Sequence, residues 1–134
     1  MDIQEMIMRN AEDKKTLEEL KEKVLDGERK VFSAILEEIA EKTGASFENN
    51  KLNTFNGVFR IGYPYADSQR LALLYYNVKK NGEESSRCSE HIHFGGGSYN
   101  DKLIAWSNKA GSKTFDKAED AVQYIIDKYI GEVR

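Results

Sequence analysis

The chain has 134 residues and one cysteine, with 40% hydrophobic residues, 32% charged residues and a formal net charge of −3. This length fits one domain with a core, and the composition excludes a disordered chain, an internal disulfide and a membrane-spanning helix, which needs an apolar run of roughly 18–20 residues. Because the first residues also lack the basic and then apolar pattern of a signal peptide, we expect a single domain over residues 1–134 in the cytoplasm.

Residues 1–44 are predicted to be helical. Apolar residues recur there at three- and four-residue steps, as in the buried stripe of an amphipathic helix. Thr16 and Glu19 have the spacing of a capping box, and Gly44 is typical of the residue that follows a helix. Gly27 either bends this helix or divides it in two. In our main interpretation the stripe packs on the core, and in the alternative it joins two copies of the chain in a homodimer.

Residues 45–115 are predicted to form an antiparallel sheet of about four strands. Alternating or continuous apolar residues place the strands at residues 58–63, 70–79, 87–94 and 102–107. Asn81 and Gly82 are typical of a two-residue hairpin turn between the second and third strands, because both residue types accept a positive φ. In that hairpin, residues at equal distances before Asn81 and after Gly82 lie opposite each other.

Residues 116–131 are predicted to form the C-terminal helix. Asp116 and Glu119 have the spacing of a second capping box, and the apolar residues that follow recur at helical steps. The predicted fold is therefore α+β, with an N-terminal helical segment, an antiparallel β-meander and a C-terminal helix packed on one face of the sheet.

The third predicted strand contains the only cysteine and both histidines: Cys88, His91 and His93. These residue types bind zinc, but zinc sites usually have paired ligands that this chain lacks. Side chains alternate along a strand, so His91 and His93 share a face while Cys88 lies on the apolar face. The glycines that follow match neither a phosphate-binding nor a dinucleotide-binding loop. We therefore predict no metal site, no cofactor and no catalytic residue.

One face of the predicted sheet carries the candidate binding residues. The hairpin register brings five of them together, and a tyrosine in the glycine-rich loop borders them: Arg70, Tyr76, Arg87, His91, His93 and Tyr99. Histidine changes charge near neutral pH, so we expect binding at this face to depend on pH. Glu90 points to the apolar face in this register. That position requires a partner for the carboxylate, a strand that ends or bulges there, or a longer turn.

These observations favour a small, non-enzymatic protein-interaction module with an inhibitor, immunity-like or adaptor role. The sequence has no complete catalytic constellation, and its seven tyrosines suit interfaces. In a first alternative, the same face binds single-stranded nucleic acid or a phosphate-bearing ligand, although the acidic balance of the chain opposes this. In a second alternative, the chain is a small enzyme that uses His91 or His93 as an acid or base. We expect a protein partner and no membrane association.

Overall fold

The fold is α+β, with helices and one antiparallel sheet, as the sequence predicted. The computed structural model describes residues 2–13, 21–54, 57–65, 70–95, 102–107 and 111–130, with side chains described except at residues 9–13 and 21–24. Tyr99 and the Thr16–Glu19 capping box lie outside the described residues.

Two helices precede the sheet. Helix α1 comprises Ile3–Asp13, and helix α2 comprises Lys21–Thr43. Gly27 lies inside α2, so the helix continues through the glycine. Gly44 follows the last turn with a φ of 75°, a left-handed conformation that glycine adopts without a steric penalty. The predicted end of this helix is thus confirmed.

The sheet has seven strands rather than about four, and their spatial order is the order along the chain. The strands are β1 (Phe47–Glu48), β2 (Lys51–Asn53), β3 (Gly57–Gly62), β4 (Ala72–Asn77), β5 (Glu90–Phe94), β6 (Leu103–Ser107) and β7 (Gly111–Phe115). All neighbouring pairs are antiparallel. The sequence predicted β3 to β6 and missed the other three, because β1 and β2 have only two and three residues and β7 has one buried residue among five.

The predicted hairpin between β4 and β5 is wrong in its register. Ala72 pairs with His93, and Tyr75 pairs with Glu90, which is a shift of two residues from the predicted pairing. The backbone N–H of Lys79 donates to the carbonyl of Glu83, so three residues form the loop, and Gly82 takes a φ of 85° at its end. This is the usual geometry of a three-residue hairpin loop. Val78 still pairs with Glu84 in the register of this loop, so the shift arises in the residues between Glu84 and β5. An even shift leaves the paired side chains of β4 and β5 on their predicted faces.

The buried core lies on one face of the sheet, here called the inner face. Side chains from β2 to β7 on this face form one cluster with buried residues of all three helices. The strand members with less than 5% exposure are Leu52, Phe59, Leu73, Tyr75, Ile92, Phe94, Leu103, Ala105 and Phe115. None of the described residues on the opposite face, here called the outer face, belongs to this cluster.

The C-terminal helix, α3, comprises Ala118–Ile125 and continues as a π-helical segment over Ile126–Ile130. The predicted capping box is wrong, since Lys117 occupies the N-cap position without a side-chain hydrogen bond. Instead, the Gln4 side chain of α1 accepts the backbone N–H of Ala118 at 2.8 Å, and Asp116 accepts a hydrogen bond from Lys102. A residue distant in the chain, Gln4, therefore caps the start of this helix.

Aromatic side chains connect the π-helical segment to the strands. The Tyr129 ring contacts the rings of Phe59 and Tyr75, with centroids 5.1 and 4.1 Å away. That the whole C-terminal helix packs on one sheet face stays a prediction. None of the described helices is both long and apolar enough to cross a membrane.

Candidate functional site

The outer face carries a cluster of aromatic side chains at its centre. Strand β5 contributes His91 and His93, and β6 contributes Trp106 directly opposite His91. Tyr65 approaches from the segment after β3, and its ring centroid lies 5.9 Å from that of His91. We call these four residues the aromatic cluster. It joins two predicted site residues to two that the sequence analysis missed.

His91 is the centre of the aromatic cluster and only 7% exposed. Its ring centroid lies 5.0 Å from that of His93 and 5.4 Å from that of Trp106. Among the described residues, no group forms a hydrogen bond with either of its ring nitrogens. Burial lowers the pKa of His91, the adjacent His93 lowers it further, and Glu90 on the opposite face raises it. His91 is therefore a neutral imidazole near pH 7, with unsatisfied polar atoms.

His93 has a defined tautomer. Its Nδ1 lies 2.9 Å from the backbone carbonyl oxygen of Phe94. A carbonyl oxygen only accepts hydrogen bonds, so Nδ1 is the donor and carries a proton. The His93 side chain is half-buried, beside the more deeply buried His91.

Charged residues form one rim of the outer face. The Arg60 guanidinium donates two hydrogen bonds to the Glu84 carboxylate, at 2.8 and 2.6 Å, and Lys51 lies 3.8 Å from the same carboxylate. The hydrogen bond with Arg60 holds the pKa of Glu84 below its usual value. Tyr76 lies on the same face and is half-buried, and burial raises the pKa of its phenol.

The prediction that Cys88 faces the core is wrong. Glu90, not Cys88, is the cross-strand partner of Tyr75, and Cys88 lies before β5 in the connection from β4. It is half-buried, and burial raises the pKa of its thiol. A thiol with a raised pKa is a poor nucleophile.

Arg70 is not on the outer face. Its Nε donates to the Glu28 Oε2 of helix α2 at 2.9 Å, and its Nη1 donates to the Gly95 carbonyl at 3.1 Å. Its guanidinium also lies over the Phe94 ring, on the inner face. Strand β4 begins at Ala72, so strand alternation does not extend back to Arg70.

Arg87 and Tyr99 are the other two predicted site residues. Arg87 is exposed in the connection between β4 and β5 and has no strand partner. Tyr99 lies outside the described residues. Of the predicted site residues that the structure describes, His91 and His93 lie in the aromatic cluster, and Tyr76 lies on the neighbouring strand.

Glu90 does point to the inner face, and it has partners there. Its carboxylate, 2% exposed, accepts hydrogen bonds from Tyr124 at 2.7 Å, from Lys128 at 2.8 Å and from Tyr129. Burial, together with this carboxylate, holds the pKa of Tyr129 far above its usual value. Three donors satisfy the carboxylate, which indicates a structural role for Glu90 in linking β5 to Tyr124, Lys128 and Tyr129.

Comparisons with protein-family models, with curated proteins and with solved structures find no match to this chain. Within the described ranges, no group of three or more histidine, cysteine, aspartate or glutamate side chains is arranged to hold a metal ion.

Proposed function

We propose that this protein is a non-enzymatic interaction module that binds an acidic surface of a partner protein through its outer face. The observation that carries the proposal is His91, a side chain that is more than nine-tenths buried, with two ring nitrogens that have no hydrogen-bond partner among the described residues. Buried polar groups in native proteins are almost always hydrogen-bonded. A partner that covers the aromatic cluster can supply the missing bond.

The composition of the outer face supports a protein partner. Tyr65 is 56% exposed, Trp106 is half-buried, and both lie at the His91 ring. Tryptophan and tyrosine are enriched among the residues that carry binding energy at protein interfaces. The charged pair of Arg60 and Glu84 lies at the edge of this surface, as polar residues do at the rim of an interface.

Histidine chemistry supports an acidic partner group. Protonated His91 donates from both ring nitrogens, and a carboxylate accepts such bonds. Because an adjacent carboxylate favours the charged form of the ring, binding raises the pKa of His91 and takes up a proton. Affinity for the partner therefore rises as pH falls from neutral toward the histidine range. The groups facing the ring are Tyr65, His93 and Trp106, with Glu90 behind it on the inner face.

A single-stranded nucleic acid is the alternative occupant, since bases stack on aromatic side chains. The net charge of −3 argues against it, because nucleic-acid binding without base readout depends on clustered cations. In this proposal the C-terminal helix covers the inner face, and the partner binds the outer face where Tyr65 is 56% exposed beside His91.

Affinity purification with a paired variant tests the function. The tagged wild-type protein, the variant His91→Ser/His93→Ser and the control Lys30→Ser/Lys42→Ser are used to capture proteins from the source organism, after circular dichroism has shown that all three are folded. Lys30 and Lys42 are exposed cations on α2. The proposal expects one protein that the wild type and the control retain and the histidine variant loses. Equal retention by all three, or retention that nuclease removes, contradicts it.

A further inference from the structure

Strand β7 is an edge of the sheet that no other described strand covers. It pairs with β6 on one side only, and four of its five residues are exposed. The opposite edge, β1, has two residues, which is too short for extended pairing. In an edge strand, alternate residues direct their N–H and C=O groups away from the sheet, where an extended chain can pair with them.

A groove runs along this edge, between β7 and helix α3. Lys113 and Phe115 line it from the strand, and Gln123, Tyr124 and Asp127 line it from the helical side. The helical residues recur at three- and four-residue steps and so lie on one helix face. A strand edge beside a helix provides both main-chain hydrogen bonds and side-chain contacts for a bound peptide.

Some charged side chains of the groove form ion pairs, and others do not. Lys128 is paired with Glu90, Asp116 is paired with Lys102, and Asp127 accepts a hydrogen bond from Gln123. Asp120 also lines the groove from the helical side. Lys113, in contrast, has no carboxylate partner among the described residues, and its Nζ lies 5.3 Å from the Tyr124 ring centroid and 5.7 Å from that of Phe115. The strand side of the groove thus presents an unpaired cation above two aromatic rings.

We propose that this groove binds an extended segment of a partner protein as an added eighth strand. Side chains alternate along such a segment, so every second one faces the groove. An acidic side chain faces Lys113, and an apolar or aromatic side chain two residues away contacts Phe115 and Tyr124. The recognised segment therefore has an acidic residue and an apolar residue separated by one position. This site shares no side chain with the aromatic cluster.

A second copy of the chain suits this edge less well. If two β7 strands paired about a twofold axis through their central residue, Lys113 of one copy would lie directly opposite Lys113 of the other. Like charges at directly opposite positions destabilise strand pairing. The edge therefore favours a different, acidic sequence.

The test begins with a display library of random peptides of about twelve residues, the length that a strand and its flanks require. The library is selected against the folded wild-type protein. We expect enriched peptides with the acidic–any–apolar pattern, and we expect their addition to shift the amide NMR signals of residues 111–115. No enrichment, or enriched peptides that leave these signals unchanged, overturns the proposal.

Charge reversal then tests the role of Lys113. We expect Lys113→Glu to weaken binding of the selected acidic peptide by about tenfold or more, because attraction becomes repulsion. The same variant should bind more tightly a peptide with lysine in place of the acidic residue. The matched control is Lys79→Glu, at an exposed lysine of the β4–β5 connection. Equal loss in both variants, or concentration-dependent broadening of the residue 111–115 signals without peptide, which marks self-pairing, overturns the proposal. Loss of the outer-face partner leaves these results unaffected, so the two sites are tested separately.

Discussion

Arg70 and Glu28 form an ion pair that joins the start of β4 to helix α2, with Nη2 and Oε2 2.8 Å apart. Glu28 has no exposed surface, whereas the Arg70 side chain is 36% exposed. The backbone N–H of Leu71 also donates to Glu28, at 3.3 Å. A carboxylate buried in the core is thus held by donors from two adjacent residues that directly precede β4.

Removing the arginine takes away a charged donor of that buried carboxylate. We expect Arg70→Ala to lower the free energy of unfolding by about 3 kcal/mol, the lower part of the range for breaking a buried pair, because water reaches the exposed side. Urea denaturation measures this. The control is Arg29→Ala, whose pair with Asp26 is exposed, with an expected loss below about 0.5 kcal/mol. Equal losses in the two variants would show that the buried pair has no special role.

Tyr129→Phe removes one of the three donors to Glu90 and keeps the aromatic contacts with Phe59 and Tyr75. We expect the free energy of unfolding to fall by about 2 kcal/mol, since the lost hydrogen bond is to a buried charged group. Thermal or urea unfolding measures the loss. Tyr63→Phe, at a tyrosine with 48% exposure, is the control and should change stability little. An unchanged free energy of unfolding in Tyr129→Phe would contradict the structural role of Glu90.

Gly57 has no space for a side chain. A Cβ built there meets the Tyr75 ring and comes within 2.5 Å of the Tyr76 backbone carbonyl. We expect Gly57→Ala to cost about 2 kcal/mol or more, because the backbone has to move. At Gly62 the nearest atom is a flexible Leu74 methyl group at 3.2 Å, so Gly62→Ala should cost less than about 1 kcal/mol. Comparable unfolding midpoints for the two variants would contradict this.

The lowered pKa of His91 makes stability depend on pH. The unfolded chain binds a proton at this position near the ordinary pKa of 6.5, whereas the folded chain does so at a lower pH. The contribution of neutral His91 to stability is therefore fully present above pH 6.5, and it is lost as the pH falls from 6.5 through the folded-state pKa. We expect the loss between about pH 7.5 and about pH 5.5 to be smaller in His91→Gln than in the wild type. The same pH dependence in both proteins would show that His91 titrates normally.

The faces of the sheet could be predicted from the sequence, but its pairing could not. Alternation alone assigns His91 and His93 to one face and Glu90 to the other, and a register error of two residues preserves that assignment. The missed Trp106 lies in a predicted strand, yet its position beside His91 depends on the β5–β6 register, which has no turn signal in the sequence.

The other failures come from contacts between residues far apart in the chain. Gln4 caps the helix that Asp116 was expected to cap, although 114 residues separate Gln4 from its partner Ala118. Arg70 turns to Glu28 because β4 starts two residues later than expected. Local patterns contain no information about such pairs, which form only when the elements pack.

The most direct test of the proposed function is the affinity of the captured partner, measured by titration calorimetry with purified proteins. We predict that His91→Ser/His93→Ser weakens binding by about tenfold or more, that Lys30→Ser/Lys42→Ser does not, and that wild-type affinity rises between about pH 7.5 and about pH 6. Equal affinity of the wild type and the histidine variant, at both pH values, would contradict binding through the outer face.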